Sequence, residues 1–230
     1  MNEHYGSIVH EDAAIFVIKK RAGVAVESRG SERDLLTELK AELLNRGEAP
    51  AIFPVHRLDQ PVEGLLVVAR TQEAADRLSE QIRDHRLEKL YKAVVHGTLS
   101  PDEGELRDYI AKQGSVAYIE PKKQPWNKEA VLQFQTLEQK EDRSLLLIRL
   151  VTGRFHQIRA QLAHAGYPIV GDKKYGRADQ DPEVRFPALC ACRLTFTHPV
   201  SGAPVCYETV PEGEGFSGWT SSRSSSFPPL

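Results

Sequence analysis

Apolar residues in this chain gather into short runs, and the shortness of those runs is what most constrains the fold. Among them are residues 64–69 (GLLVVA) and 145–148 (LLLI). Runs of this length read as buried strands, and they fall far short of the roughly 20 apolar residues needed to cross a bilayer. Strand-like segments also occur at 90–96, 129–137, 144–151, 189–197 and 204–209, and residues 8–18 read as two short strands around a turn at Glu11 and Asp12. Three segments carry a helical period. Residues 31–46 have Ser31 as a possible cap, Leu35, Leu39 and Leu43 four residues apart, and Gly47 as a stop. Thr71 opens a second helix to about Leu87, with Ala74, Leu78 and Ile82 on one face. A third follows Thr152 and Gly153 and runs to about Ala165, with Phe155, Ile158 and Leu162 in phase and Gly166 as its end. Several strands adjacent in order, with three helices among them, predict an α+β fold: a mixed, largely antiparallel sheet flanked by helices, not a doubly wound βαβ array.

The 230 residues suit one domain, expected over 1–211, with a Ser/Pro-rich flexible tail over 212–230. Lys and Arg number 30 against 32 Asp and Glu, a net charge of −2 that excludes a strongly basic histone-like protein. It leaves nucleic-acid binding open, because the footprint of such binding is local clustering. Here residues 149–177 hold six bases and one acid, while 1–50 and 101–148 each hold nine acids and seven bases. Three cysteines, an odd number, argue against a disulfide framework, and no basic-then-apolar leader opens the chain, so the expected location is the cytoplasm with no membrane association. Cys190 and Cys192 share one face of a strand and with Cys206 could suggest a metal. No well-placed His completes a tetrahedral set, so buried thiols and no metal are expected. P-loop, GxGxxG and HExxH patterns are absent.

Four segments hold candidate chemistry. The first is Val55-His56-Arg57-Leu58-Asp59-Gln60, just before the apolar strand. Taken alone, an Asp at a strand entry is usually a turn or cap residue. The second is Thr152-Gly153-Arg154-Phe155-His156-Gln157-Ile158-Arg159, where Arg154, His156 and Gln157 cluster at a helix N-terminus that favours anions. Its bland reading is a solvated helix face. The third places Lys89 and Tyr91 on one face of a strand, where a tyrosine is most often a core or rim residue. The fourth, Gly166 to Gly176 (GYPIVGDKKYG), has the Gly and Pro punctuation of a tight surface loop.

In combination these segments resemble a family. HRLD followed by GLL, KxY with its tyrosine 32 residues after the aspartate, HQIR, the GxPIxGDxxYG loop and a late LTFTHPxSG follow the order of the RluA-type pseudouridine synthases. The similarity runs from about Ile8 to Pro211. It implies the pseudouridine synthase catalytic fold with a central active-site cleft. It also implies an isomerase that converts uridine in tRNA or rRNA, in a single-stranded loop or stem-loop, without cofactor or metal. By the resemblance, Asp59 is the catalytic carboxylate, acting by attack on C1′ or in a route through C2′ deprotonation. Tyr91 packs on the target base, Arg159 pairs with the catalytic carboxylate, and Arg57 helps fill the stack the uridine leaves. His56, Arg154, His156, Gln157, Lys89, Lys173 and Lys174 are the expected RNA-contacting residues. Base flipping costs a few kcal/mol, which an intercalating side chain and a stacking aromatic offset. An arginine beside a carboxylate keeps it ionised.

The chain departs from the family at several places. Val62 and Glu63 stand where Thr-Ser is usual, Phe155 where Thr is usual, Lys19-Lys20-Arg21-Ala22-Gly23 where Asn-Lys-Pro-Ala-Gly is expected, and Cys190 where His is common. An N-terminal S4-like RNA-binding module, an obligatory protein partner and oligomerisation are not expected. Two other readings compete: an RNA-binding or RNA-chaperone protein on the same fold that has lost turnover, and a hydrolase using Asp59 on another glycosidic bond.

Overall fold

The computed structural model describes residues 4–28, 34–176, 179–219 and 227. It is an α+β protein with mixed strand pairing, and the chain forms two compact units. The first holds Met1–Lys89 and Cys190–Pro211, the second Leu90–Leu189 and Glu212–Leu230.

The first unit begins with the expected hairpin, β1 (Gly6–Glu11) and β2 (Ile15–Lys20). Asp12 closes the turn, its Oδ1 accepting the Ala14 and Ile15 N–H groups at 2.7 and 2.9 Å. The apolar run becomes β4 (Glu63–Ala69), buried along its whole length and antiparallel to β2, with β3 (Phe53–Pro54) pairing its far end. β10 (Leu189–Thr197) joins β4 in parallel and carries β11 (Pro204–Glu208) antiparallel on its other side. That parallel pairing needs a glycine. Gly64 sits at φ +118°, and a Cβ there would lie 2.4 Å from the Ala191 carbonyl oxygen, a contact no side chain tolerates.

Two helices complete this unit. α1 (Leu35–Asn45) is capped by Asp34, which accepts the Thr37 N–H at 2.8 Å. Ser31, the expected cap, lies outside the described residues. The end came out as expected: Gly47 at φ +75° lets the Gly47 and Glu48 N–H groups return to the Leu44 and Leu43 carbonyls at 3.0 and 2.9 Å, which satisfies two of the orphaned C-terminal acceptors. α2 (Gln72–Arg83) is capped by Thr71, as its sequence predicts, through Ala74 N–H at 3.1 Å. Ala74, Ala75 and Leu78 bury against Val17, Leu65 and Val67.

The second unit is an antiparallel sheet in the order β5 (Glu88–His96), β9 (Arg143–Leu150), β8 (Lys128–Lys140), β6 (Glu103–Gln113), β7 (Val116–Glu120). The hairpin β6–β7 has no counterpart in the apolar runs. Its strands are mostly exposed or half-buried, and the packed side chains are few, Ile110 and Ala117 among them. These two meet Ala130 and Ala160, the latter from α3 (Gln157–His164). That helix starts three residues later than its sequence suggests, because His156 takes a left-handed conformation at φ 51° and ψ 26° as its N-cap. Part of the expected tail is packed: Glu214–Phe216 form a short 3-10 turn, and Phe216 is buried. Residues 220–226 and 228–230 of that tail lie outside the described residues.

Candidate active site

In the first unit the 56–60 segment is held from beneath by a buried lysine. Lys20, at the end of β2, is fully buried, and its Nζ donates to the carbonyls of Arg21 (2.9 Å), Val24 (2.8 Å) and Gln60 (3.1 Å). The Gln60 carbonyl also accepts the Gly23 N–H at 2.9 Å, and the Gln60 amide returns a bond to the Gly23 carbonyl at 3.2 Å. The residue after Asp59 is thus tied to the loop that follows β2. Leu58, just before it, is buried, so both sequence neighbours of Asp59 are anchored. Burial pulls the Lys20 ammonium down to about 7, against the opposing pull of the Asp59 and Glu63 carboxylates. In the sequence Lys20 stands out only as part of a departure from a family motif. Its signal was a lysine at the end of an otherwise apolar strand.

His56 accepts the Val67 N–H of β4 through Nε2 at 3.1 Å, which places its proton on Nδ1. Burial first, and the nearby Lys89 charge second, pull the imidazole down to about 3. At neutral pH it is therefore an uncharged strand-edge acceptor and brings no charge to a phosphate. Lys89 is half-buried, and burial lowers its ammonium below the ordinary lysine value. Arg57 is exposed.

In the second unit Tyr91 is buried in β5, in register with Ile148 of β9. Arg159 is buried on α3, and its Nε and Nη2 donate to the two carboxylate oxygens of Asp172 at 2.7 and 2.9 Å. Its guanidinium lies 5.1 Å from the centre of the Tyr175 ring. The Tyr175 hydroxyl accepts the Ala117 N–H at 2.8 Å and shares a hydrogen bond with His156 Nδ1, 2.7 Å away. The Phe155 ring stacks on His156 at 3.7 Å, and Lys112 Nζ lies 4.5 Å from the Phe155 ring centre.

Gln157 is buried and spends its amide on the chain itself. Its Oε1 accepts from Thr152 Oγ1 and the Arg154 N–H, both at 2.9 Å, and its Nε2 donates to the Val131 carbonyl at 3.1 Å. Arg154 Nε donates to the Glu129 carbonyl at 2.7 Å. Lys173 and Lys174 are exposed, and Lys174 Nζ reaches the Ser115 carbonyl at 2.9 Å. The basic stretch 149–177 is therefore not one solvated patch: Arg149 and Arg159 are buried, and Arg177 lies outside the described residues. The 166–176 segment, which reads from sequence as a tight surface loop, supplies both Asp172 and Tyr175 to Arg159.

Cys190 and Cys192 are buried and Cys206 is exposed. Among the described residues no group of three or more His, Cys, Asp or Glu side chains converges as metal ligands would, and no helix is long and apolar enough to cross a membrane.

Residues 14–164 match the family model described as RNA pseudouridylate synthase. The chain is 34% identical over 224 residues to the ribosomal large subunit pseudouridine synthase D of Pseudomonas aeruginosa, covering 89% of this chain and 68% of that protein. It is 33% identical over 213 residues to the protein of the same name from Neisseria meningitidis, but spans 57% of that relative's length. An uncharacterized RNA pseudouridine synthase of Bacillus subtilis is 33% identical over 218 residues, with 89% and 69% covered. Among solved structures, human RNA pseudouridylate synthase domain containing 1 superposes with a TM-score of 0.74 at 23% identity, over 89% of this chain and 83% of that one. Human RNA pseudouridylate synthase domain containing 4 gives 0.72 at 21%, over 83% and 84%.

Proposed function

Because the chain belongs to the RluA-type RNA pseudouridylate synthase family, we propose that it isomerises uridine to pseudouridine in structured RNA, with Asp59 as the reacting carboxylate. The observation that carries this reading is the setting of Asp59. It stands in the HRLD motif inside the matched region, on a loop whose backbone is pinned by a fully buried lysine. Reacting groups need such fixed placement, because positioning supplies much of the rate when the chemistry is intramolecular. The N1–C1′ bond breaks, the detached uracil turns, and C5 bonds to C1′. The C5 proton is lost and N1 gains one, so atoms balance with no external oxidant, reductant or cofactor. Tyr91 serves the target base, Arg159 the charge of the reacting carboxylate, and exposed Arg57 the gap left by the flipped nucleotide. The relatives named for the large ribosomal subunit make its RNA the first substrate to try, with tRNA second.

The loss of the C5 proton provides the assay. Transcripts of large-subunit rRNA and total tRNA labelled with [5-³H]uridine should release tritium to water with the wild type. Asp59→Ala should lower the rate by about 10³-fold or more, the scale on which removing a nucleophile acts. Asp59→Ala at the wild-type rate would disprove the assignment. Free uracil among the products would point instead to hydrolysis.

A further inference from the structure

We infer that Asp172 is the positioning residue of Arg159, and that the 171–176 loop exists to aim this guanidinium. The inference rests on the reading of Arg159 as a catalytic group. Both partners are buried, Arg159 at 4% and Asp172 at 3% exposure. The carboxylate takes Arg159 Nε on Oδ2 and Nη2 on Oδ1, a fork that fixes the plane of the guanidinium. Oδ1 also accepts the N–H groups of Lys174 and Tyr175, at 3.0 and 3.2 Å, so the acceptor is itself held by the loop it sits in. Tyr175 then lies against the guanidinium and, through its hydroxyl, against His156.

The loop is fixed on its other side too. Gly171 adopts φ +76°, where a Cβ would meet Val184 and Phe186. Its N–H donates to Asp181 at 2.9 Å, and Asp181 is bound in turn by His96 at 2.7 Å and Arg143 at 3.0 Å. Arg159 is a buried position on α3, so an apolar residue would sit there at no electrostatic cost. A buried ion pair is a poor source of stability compared with well-packed hydrophobic residues. This one is surrounded by a constrained glycine, two main-chain N–H groups and an aromatic ring, and all of these set direction. The third nitrogen, Nη1, points away from Asp172, so the clamp decides where the remaining donor of Arg159 is aimed.

The test uses Asp172→Asn, Arg159→Met and the double variant of the full chain, assayed by tritium release from [5-³H]uridine-labelled large-subunit rRNA transcript. Asn offers one acceptor oxygen where Asp offers two, so the fork opens. kcat should fall about 100-fold, the effect of a misplacement near 1 Å, with KM changed less than about threefold. In the Arg159→Met background, Asp172→Asn should cost nothing more, since it acts through the arginine. Should Asp172→Asn fail to fold, the comparison of Arg159→Met with the double variant decides by itself. An Asp172→Asn enzyme with wild-type kcat, or losses that multiply in the double variant, would overturn the inference. Full kcat in Arg159→Met would remove the role of Arg159, and the inference with it. Independently of turnover, the Arg159 Nε–H signal in arginine-labelled protein should exchange with water about tenfold faster in Asp172→Asn; unchanged exchange refutes the clamp. A wild type inactive on all RNAs with a normal exchange effect would locate the failure in the proposed activity and end the catalytic purpose assigned to the clamp.

Discussion

Burial of Lys20 has a measurable consequence for stability as a function of pH. In the folded chain its ammonium titrates near 7, because burial removes it from water and the nearby Asp59 and Glu63 carboxylates compensate only in part. In the unfolded chain it returns to 10.5. Between these values the unfolded state holds more protons, so stability rises with pH over that window. Below pH 7 both states are protonated, and the cost of the buried charge is carried in full. From pH 7 to pH 9 the single site should add about 2 kcal/mol, somewhat less than the 1.36 kcal/mol per pH unit of a fully displaced titration, because the folded group is half-titrated at the start. Lys20→Met removes this slope. It leaves the Arg21 and Val24 carbonyls without their lysine donor, while the Gln60 carbonyl keeps the Gly23 N–H. The variant therefore loses a few kcal/mol of hydrogen bonding and is relieved of a buried charge. The slope, not the absolute stability, is the decisive reading. Urea unfolding of both proteins at pH 7, 8 and 9 measures it. Parallel stability curves for wild type and Lys20→Met over this range would refute the account of Lys20 as a buried, neutralised lysine.

His56 predicts the opposite end of the pH scale. Its folded value of about 3 lies below the ordinary 6.5, so the stability it contributes is present above pH 6.5 and is lost as pH falls toward 3. Replacing it with Gln, which can still accept the Val67 N–H, should flatten the acid limb of a urea-midpoint curve, and an unchanged limb would count against the buried neutral imidazole. Gly64→Ala forces a Cβ to within 2.4 Å of the Ala191 carbonyl oxygen at φ +118°. It should cost more than about 3 kcal/mol by strain and lost β4–β10 pairing; a urea midpoint within error of wild type would show that the pairing adjusts freely.

Much of the secondary structure was legible because it depends on local repetition. The run at 64–69 is β4, the leucines at 35, 39 and 43 line the buried side of α1, and Thr71 caps α2. The β6–β7 hairpin carries no such signal for the converse reason: strands solvated along much of their length have no need of a strong apolar alternation. The motif order was enough for the family. The motifs could not assign partners. His56 turns its Nε2 to the Val67 N–H, and Gln157 bonds the Val131 carbonyl, the Arg154 N–H and the Thr152 hydroxyl. The late start of α3 was equally hidden, since nothing in the apolar period of 155–165 announces a left-handed His156.

Thus residue order alone determined the α+β class, the three helices, most of the strands and the family, because apolar spacing, caps and motif order are properties of neighbours along the chain. Tertiary structure decided that Lys20 is a buried lysine bonded to three carbonyls, that His56 is neutral, and that Arg159 is gripped by Asp172 thirteen residues away. The physical reason is that the pKa of a charge and the direction of a hydrogen bond depend on which groups the folded backbone brings within a few ångströms, and for these residues those groups lie far along the chain or across a turn that no local repeat encodes.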